Sequence, residues 1–249
     1  MLFELIAAVG LILLAAGIIF FTALPGQARK IRPSFRPIPA VANVRRAIGL
    51  AVEEGTRLHL TLGKSSLLSP TNASALATMS ALERIALLSS ASDRPPITTS
   101  GDGAFALLSQ QTLRSAFRTA NASDLYDPDL GRLTGTTPLA YTVGALPVVR
   151  GDYASANLMF GNFGPEVGFL TEASEHAKAL TVAGSDALIA QAVFFATAQE
   201  TLIGEEAFAV SAYLGNPAHQ ASLRAQDVLR WLLAAALLIG AILTLAGVL

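Results

Sequence analysis

The chain has 249 residues, of which 52% are hydrophobic and 14% charged, and its mean hydropathy is +0.52. The charged fraction lies well below the roughly 25% of soluble proteins, which indicates long apolar segments beside a folded domain. A net charge of -1 excludes a general attraction to nucleic acid, and the lack of cysteine excludes disulfides, thiolate metal sites and cysteine nucleophiles.

Two uncharged apolar runs, Leu5 to Leu24 and Trp231 to Leu249, lie at the two ends of the chain. The length of each run is close to the roughly 20 residues that a helix needs to cross a hydrocarbon layer about 30 Å thick. We therefore predict transmembrane helices within residues 1–25 and 229–249, with one domain, 41–228, between them. A cleaved signal peptide is the alternative for the first run, but no positive charge precedes it. A buried core helix is the alternative for the second run, which lacks a polar face.

Basic residues indicate the orientation of the domain. No acidic residue lies between Glu4 and Glu53, and Arg224 and Arg230 precede the second apolar run. Because positive flanks stay on the cytoplasmic side, we expect a cytoplasmic domain at the cytoplasmic membrane, with both termini outside. Residues 26–40 form a predicted basic, proline-rich strap. Its candidate contacts with lipid head groups, for which topology alone is the alternative explanation, are Arg29, Lys30, Arg32 and Arg36.

Hydrophobic periodicity predicts alternating strands and helices within the domain. The predicted strands are Arg57–Leu62, Ile97–Thr99, Pro147–Val149, Ser155–Phe160 and Ala179–Ala183. The predicted helices are Val41–Glu54, Ala73–Ser89, Ala104–Thr119 with Asp102 as its cap, Pro138–Ala145, Glu166–Ala177 and Ala187–Leu214, and residues 124–137 are a predicted loop. Such alternation implies right-handed crossovers. The predicted fold is α/β, a Rossmann-like, mostly parallel sheet with flanking helices, bracketed by N- and C-terminal transmembrane helices.

Four glycine-containing loops follow predicted strands, at the edge where open α/β sheets bind ligands. The candidate ligand-binding residues are Gly63, Lys64, Ser65, Ser100, Gly101, Asp102, Gly103, Gly161, Asn162, Gly184, Ser185 and Asp186. Free backbone amides in such turns favour an anion, so one hypothesis is a nucleotide or a phosphorylated metabolite. The other hypothesis is that each turn needs glycine and a capping residue for its own geometry.

Specific catalytic and metal motifs are missing from the sequence. The segment Gly63-Lys64-Ser65 imitates the end of a phosphate-binding P-loop, but Leu58 occupies the position of the first glycine. No G-x-S-x-G motif is present, and no two of the three histidines have the i, i+4 spacing of a helical metal pair. We predict neither catalytic residues nor a metal site, and the sequence leaves the cofactor open.

Small residues are abundant on two predicted helices and could serve either the core or an interface between copies. They are Ala73, Ala75, Ala77 and Ala81, and again Ala187, Ala190, Ala192, Ala196 and Ala198. The acidic residues Glu200, Glu205 and Glu206 are predicted to form a solvated face, or to contact Arg45, Arg46 or a neighbouring subunit.

Three segments together carry a family resemblance: IPAVANVRRAIGLAVEEGTRLHLTLG, SDRPPITTSGDGAFALL, and AGSDALIAQAVFFATAQETLIGEEAFAVSAYLG with the closing ASLRAQDVLRWLL. They resemble an uncharacterised family of bacterial two-pass membrane proteins, a domain of unknown function, over nearly the whole domain. The resemblance implies no activity and no functional residue. We expect a non-enzymatic, membrane-anchored scaffold or accessory subunit that associates with copies of itself or with a membrane complex. The alternative is a nucleotide- or phosphometabolite-binding sensor or enzyme.

Overall fold

The computed structural model describes residues 2–23, 35–69, 73–151 and 153–246. The chain divides into two compact units. We call Pro37–Leu214 the sheet unit, and Met1–Arg36 together with Gly215–Leu249 the helical unit. The predicted lipid contacts Arg29, Lys30 and Arg32 lie outside the described residues, whereas Arg36 is described and exposed.

The helices and strands are numbered in chain order. The helices are α1 (Leu2–Ala23), α2 (Pro39–Glu54), α3 (Ala73–Leu88), α4 (Gly103–Thr119), α5 (Pro138–Arg150), α6 (Gly168–His176), α7 (Leu188–Thr197), α8 (Glu206–Tyr213) and α9 (Pro217–Leu245). The strands are β1 (Arg57–Gly63), β2 (Ile97–Ser100), β3 (Gly131–Leu133), β4 (Ala154–Asn162), β5 (Leu180–Ser185) and β6 (Glu200–Leu202). Within the helical unit, α1 packs against α9.

The strands form one sheet in the order β3-β2-β1-β4-β5-β6, and every pairing is parallel. The predicted α/β fold with a parallel sheet and flanking helices is therefore confirmed. The register places His59 of β1 opposite Ile97 of β2 and Asn157 of β4. Because the strand order reverses between β1 and β4, this pair is the topological switch point of the sheet.

Alternating side chains divide the core between the two faces of the sheet. On one face, Leu58, Leu60 and Leu62 of β1 pack in a cluster with α2, α3, α4 and α8. On the other face, Met159 of β4 belongs to a second cluster with α5, α6 and α7. Both faces of the strands are covered, which explains why they are buried along most of their length and carry few charges.

Two predicted boundaries are wrong around α5. Residues 124–137 are not all loop, because they include the edge strand β3, which pairs with β2. Residues Pro147–Val149 are not a strand but the last turns of α5, which continues through Pro147 to Arg150. The buried side chains of Tyr141, Ala145 and Val149 lie on one side of this helix, and their packing outweighs the missing backbone donor of the proline.

The predicted long helix Ala187–Leu214 is also wrong. The segment divides into α7, β6 and α8, with a turn at Gly204 whose φ is +61. The strand β6 has three residues and pairs only at the edge of the sheet, with β5. Such a short edge strand is stabilised by its neighbour and leaves no periodic signal of its own.

Candidate functional site at the carboxyl edge

The structure brings the four predicted loops together. All strands are parallel, so the loops that follow β1, β2, β4 and β5 lie at one edge of the sheet. The loops are joined by hydrogen bonds from Gly101 N to Gly63 O (2.8 Å), from Lys64 N to Asn162 O (3.0 Å), from Asn162 N to Ser65 Oγ (3.3 Å) and from Asn162 Nδ2 to Asp186 Oδ1 (2.9 Å).

The two loops at the switch point contact each other directly. A Cβ added to Gly63, whose φ is +69, would collide with the carbonyl oxygen of Asn162. A Cβ added to Gly161 would collide with the carbonyl oxygen of Leu62. At Gly101 the added atom would lie 2.9 Å from Cα of Lys64. The packing of loop on loop therefore explains these three glycines without a ligand.

Polar side chains of the loops after β2 and β5 stabilise their own turns. Asp102 caps α4 as predicted, since its Oδ1 accepts from Ala104 N at 3.0 Å and from Phe105 N at 3.2 Å. Ser100 Oγ accepts from Asp102 N at 3.1 Å, and Ser185 Oγ accepts from Ala187 N at 3.2 Å. These bonds satisfy backbone donors at the starts of helices.

A chain of buried polar side chains, which is not among the sites predicted from the sequence, crosses the sheet below this edge. His59 Nε2 lies 2.9 Å from Thr99 Oγ1, and His59 Nδ1 lies 2.8 Å from Asn157 Oδ1. Asn157 Nδ2 donates to Ser174 Oγ at 2.9 Å, and Thr181 Oγ1 donates to the same Ser174 oxygen at 2.6 Å. All five side chains are buried, four on neighbouring strands and one on α6.

The direction of these hydrogen bonds assigns a proton to Nδ1 of His59. Because the amide nitrogen of Asn157 donates to Ser174, the Oδ1 atom of Asn157 faces His59 and accepts a hydrogen bond from Nδ1–H. In a neutral ring Nε2 is then an acceptor, and the hydroxyl of Thr99 donates to it. The signal in the sequence is the presence of polar residues within apolar, buried strands, and only the strand register shows which of them are in contact.

Two hydroxyls on the same face of the sheet are buried without hydrogen-bond partners in the described part of the chain, those of Tyr141 and Thr61. Burial raises the pKa of Tyr141 well above its ordinary value. The hydroxyl of Thr99 and the backbone of Gly63 act in the opposite direction and lower this pKa, although neither meets the geometry of an ordinary hydrogen bond to Tyr141. The ring of Tyr141 packs 6.5 Å from that of Phe163, between centroids.

Three cavities of the sheet unit lie away from the four loops. One of about 610 Å³ adjoins α2 and the amino-terminal ends of β1, β4 and β5. A second of about 440 Å³ lies beside α6 and the residues between α7 and β6, and a third of about 320 Å³ lies between α3 and α4. Among the described residues, no group of three or more His, Asp or Glu side chains could hold a metal ion.

By its fold, the protein belongs to the class of doubly wound α/β domains, and this domain is followed by the apolar helix α9. In the described part of the chain, α9 is the helix that is long and apolar enough to cross a membrane, judged by length and composition. In α1 the described side chains form a shorter apolar stretch, Val9–Ile18.

Residues 3–249 match the model of a family described as a domain of unknown function (DUF6754), and the chain belongs to this family. No match is found among curated proteins or among solved structures. The expected membership of an uncharacterised family is thus confirmed.

Proposed function

We propose that the chain is a membrane-anchored, homo-oligomeric scaffold or accessory subunit whose sheet unit associates with copies of itself through α7. The observation that carries the proposal is the outward side of α7, which we call the outer face. Leu188 is 82% exposed, Ile189 64% and Phe195 71%. Surface helices of soluble domains normally present polar residues to water, whereas α7 has no charged residue.

The neighbouring helices extend this apolar surface. Phe169 of α6 is 56% exposed, and Leu139 and Val143 of α5 are more than half exposed. The helix α6 contacts both α5 and α7, so these side chains belong to one layer of the sheet unit. Exposed apolar surface of this kind marks interaction sites in soluble domains.

A second copy of the chain is the occupant that we propose for the outer face. Ala192 and Ala196 lie exposed between the large side chains of α7, so two such helices could approach closely. The face carries no charge that would repel an identical face. Anchoring through α9 would confine copies to two dimensions and raise their effective concentration, so weak contacts would suffice.

Cysteine crosslinking tests this proposal with little background, because the chain has no native cysteine. A short bismaleimide should crosslink Ala192→Cys into dimers in native membranes. The matched control is Gln111→Cys, an exposed position on α4 that packs on the opposite face of the sheet. A monomeric particle after gentle extraction, together with equal crosslinking of both variants, would reject self-association through α7.

For the membrane arrangement, we propose that α1 and α9 both span a bacterial cytoplasmic membrane, with the sheet unit in the cytoplasm and both termini outside. The positive flanks of the apolar runs support this orientation, and Arg29, Lys30, Arg32 and Arg36 would then lie near lipid head groups. In intact spheroplasts, an impermeant maleimide should label a cysteine appended after Leu249 but not Gln111→Cys. The reverse pattern would invert the orientation.

A second candidate function is binding of a nucleotide or phosphorylated metabolite at the carboxyl edge. The strand order of this sheet is the order of dinucleotide-binding doubly wound folds, and this likeness is one of fold alone. Lys64 at the switch point has no side-chain partner among the described residues, so its ammonium group could contact a phosphate. Its test is a thermal-shift screen of nucleotides with Lys64→Ala as the variant. A substitution at Gly101 is unsuitable, because a Cβ there would disturb the loops themselves.

A further inference from the structure

The cavity of about 610 Å³ lies at the amino-terminal edge of the sheet, opposite the four loops, and we call it the amino-edge groove. Its volume falls within the range of sites for small molecules. The side chains of Leu50, Ala47 and Leu180 give it an apolar wall, and Thr56, Ser155 and Asn43 contribute polar groups. Thr56 Oγ1 donates to Ser155 Oγ at 2.8 Å, which leaves the Ser155 proton available to a ligand.

Two cationic side chains line the same end of the groove. The helix α2 begins beside β6, where Asn43 Nδ2 donates to Glu200 Oε1 at 2.6 Å, and it ends shortly before β1. Arg46, about two turns into α2, therefore lies towards β5, and Lys178 lies two residues before β5. In the described part of the chain, neither side chain makes a hydrogen bond or ion pair.

The acidic residue of the lining lies at the other end. Glu54 is eight residues beyond Arg46 on α2, and a helix rises about 1.5 Å per residue, so the two are separated by about 12 Å along the axis. Among the lining side chains, the two cations therefore lie at the β5 end and the carboxylate of Glu54 lies at the other. The ring of Tyr153, with the Arg94 guanidinium 3.7 Å from its centroid, belongs to the lining as well.

The backbone at Lys178 adds an independent observation. Lys178 follows α6 with a φ of +56, in the left-handed region that glycine and asparagine adopt most easily. The equivalent positions after α4 and α8 are Asn121 and Gly215, and Gly55 directly follows α2; all three have positive φ. At three other helix ends the residue with positive φ is glycine or asparagine, so a lysine at this one indicates that its side chain, rather than its backbone, is required.

We propose that the amino-edge groove binds a small organic phosphate, with the phosphate on Arg46 and Lys178 and an apolar body against Leu50 and Leu180. A guanidinium can bind two phosphate oxygens at once, and an ammonium group supplies a second charge for a dianion. This site is separate from the outer face of α7 and does not depend on self-association.

The test uses phenyl phosphate as the probe and isothermal titration calorimetry of the full chain in phosphatidylcholine nanodiscs. We expect saturable binding, with inorganic phosphate weaker because it lacks the apolar body. Arg46→Gln and Lys178→Gly should each weaken binding about tenfold or more, as expected for loss of a charged hydrogen bond. Arg118→Gln, a matched change at an exposed arginine on α4, should leave the affinity unchanged.

Stability measurements separate loss of the site from loss of the fold. Lys178→Gly relieves the left-handed backbone, so its melting temperature should not fall while phenyl phosphate binding weakens. The absence of saturable binding would overturn the proposal, as would equal affinities of the native chain and both groove variants. Repeating the titration in phosphatidylglycerol nanodiscs distinguishes the sources of phosphate: weaker binding of the probe there identifies a lipid head group as competitor, and unchanged binding identifies a free metabolite.

Discussion

At the scale of single residues, the polar chain through His59 is the most specific arrangement in the sheet. Asn157 links its two halves, because its oxygen accepts from His59 and its nitrogen donates to Ser174. Buried polar groups cost stability when they lose their partners, more than a surface hydrogen bond contributes. The chain therefore constrains the register of β1, β4 and β5 as well as their stability.

Replacement of Asn157 by alanine should be strongly destabilising. It leaves Nδ1 of His59 and the hydroxyl of Ser174 without this partner inside the core. We expect the free energy of unfolding to fall by about 1–3 kcal/mol, because Nδ1 of His59 loses its acceptor whereas Ser174 keeps its bonds to Thr181 and Ala179. Urea denaturation measures the change, with the exposed Gln111→Ala as control. A loss below about 0.5 kcal/mol would show that water replaces the amide.

Tyr141 should make the protein less stable in alkali. Its pKa is raised in the fold, so the folded chain holds the proton after an unfolded tyrosine has lost it near pH 10. The stability that the protonated hydroxyl contributes is fully present below about pH 10. It is lost as the pH rises through the pKa that Tyr141 has in the folded chain. Tyr141→Phe should therefore flatten the decline of unfolding free energy between about pH 9 and 11.

The same variant has a second expected result at neutral pH. The buried hydroxyl of Tyr141 has no hydrogen-bond partner within the described residues, so its removal should leave stability unchanged or raise it by up to about 1 kcal/mol. Tyr126→Phe, at a partly exposed tyrosine, is the control for both measurements. A marked loss of stability in Tyr141→Phe would reveal a bonded hydroxyl.

At the scale of elements, the loops after β1 and β4 are packed as closely as parts of the core. Substitutions at Gly63 and Gly55 separate the cost of a left-handed backbone from the cost of a steric collision. Both glycines have positive φ, but only Gly63 is packed against backbone atoms. Gly55→Ala should cost about 1–2 kcal/mol for its left-handed conformation alone. Gly63→Ala should cost about 1–3 kcal/mol more, from the collision with the Asn162 carbonyl.

Thermal or urea denaturation of the two glycine variants gives this difference directly. Equal costs for Gly63→Ala and Gly55→Ala would mean that the switch-point loops can separate at little expense. In that case the crevice between β1 and β4 would be open to a ligand, and the second candidate function would gain support.

At the scale of the whole molecule, the sheet unit contains a core on each face of the sheet and should fold without the helical unit. We expect a fragment of residues 37–214 to be folded and to unfold cooperatively, as judged by circular dichroism. Because it lacks the proposed membrane anchors, its self-association should be weaker than that of the full chain and should depend on concentration.

Analytical ultracentrifugation of this fragment checks the association, with Phe195→Ser as the comparison. The outer face of α7 is exposed, so the substitution should change stability by less than about 0.5 kcal/mol. It should nevertheless shift the fragment towards monomer. An unchanged distribution of mass would exclude Phe195 from the interface.

Features that depend on residues close together in the chain can be predicted from the sequence alone. Side-chain alternation and helix capping act within a few residues. They therefore predict the strands β1, β4 and β5, the cap of α4 at Asp102 and the end of the helical segment at Gly215-Asn216-Pro217. These local signals were sufficient for the α/β class and for placing four loops at one edge of the sheet.

Features that depend on residues far apart in the chain become visible only in the folded protein. The short edge strands β3 and β6 form because a neighbouring strand supplies their hydrogen bonds, and α5 passes Pro147 because its buried side is held by the core. The bonds of His59 reach residues 40 and 98 positions away, and the glycines at the switch point meet the backbone of the opposite loop. Parallel pairing joins distant segments, so the register that creates these contacts has no counterpart in local periodicity.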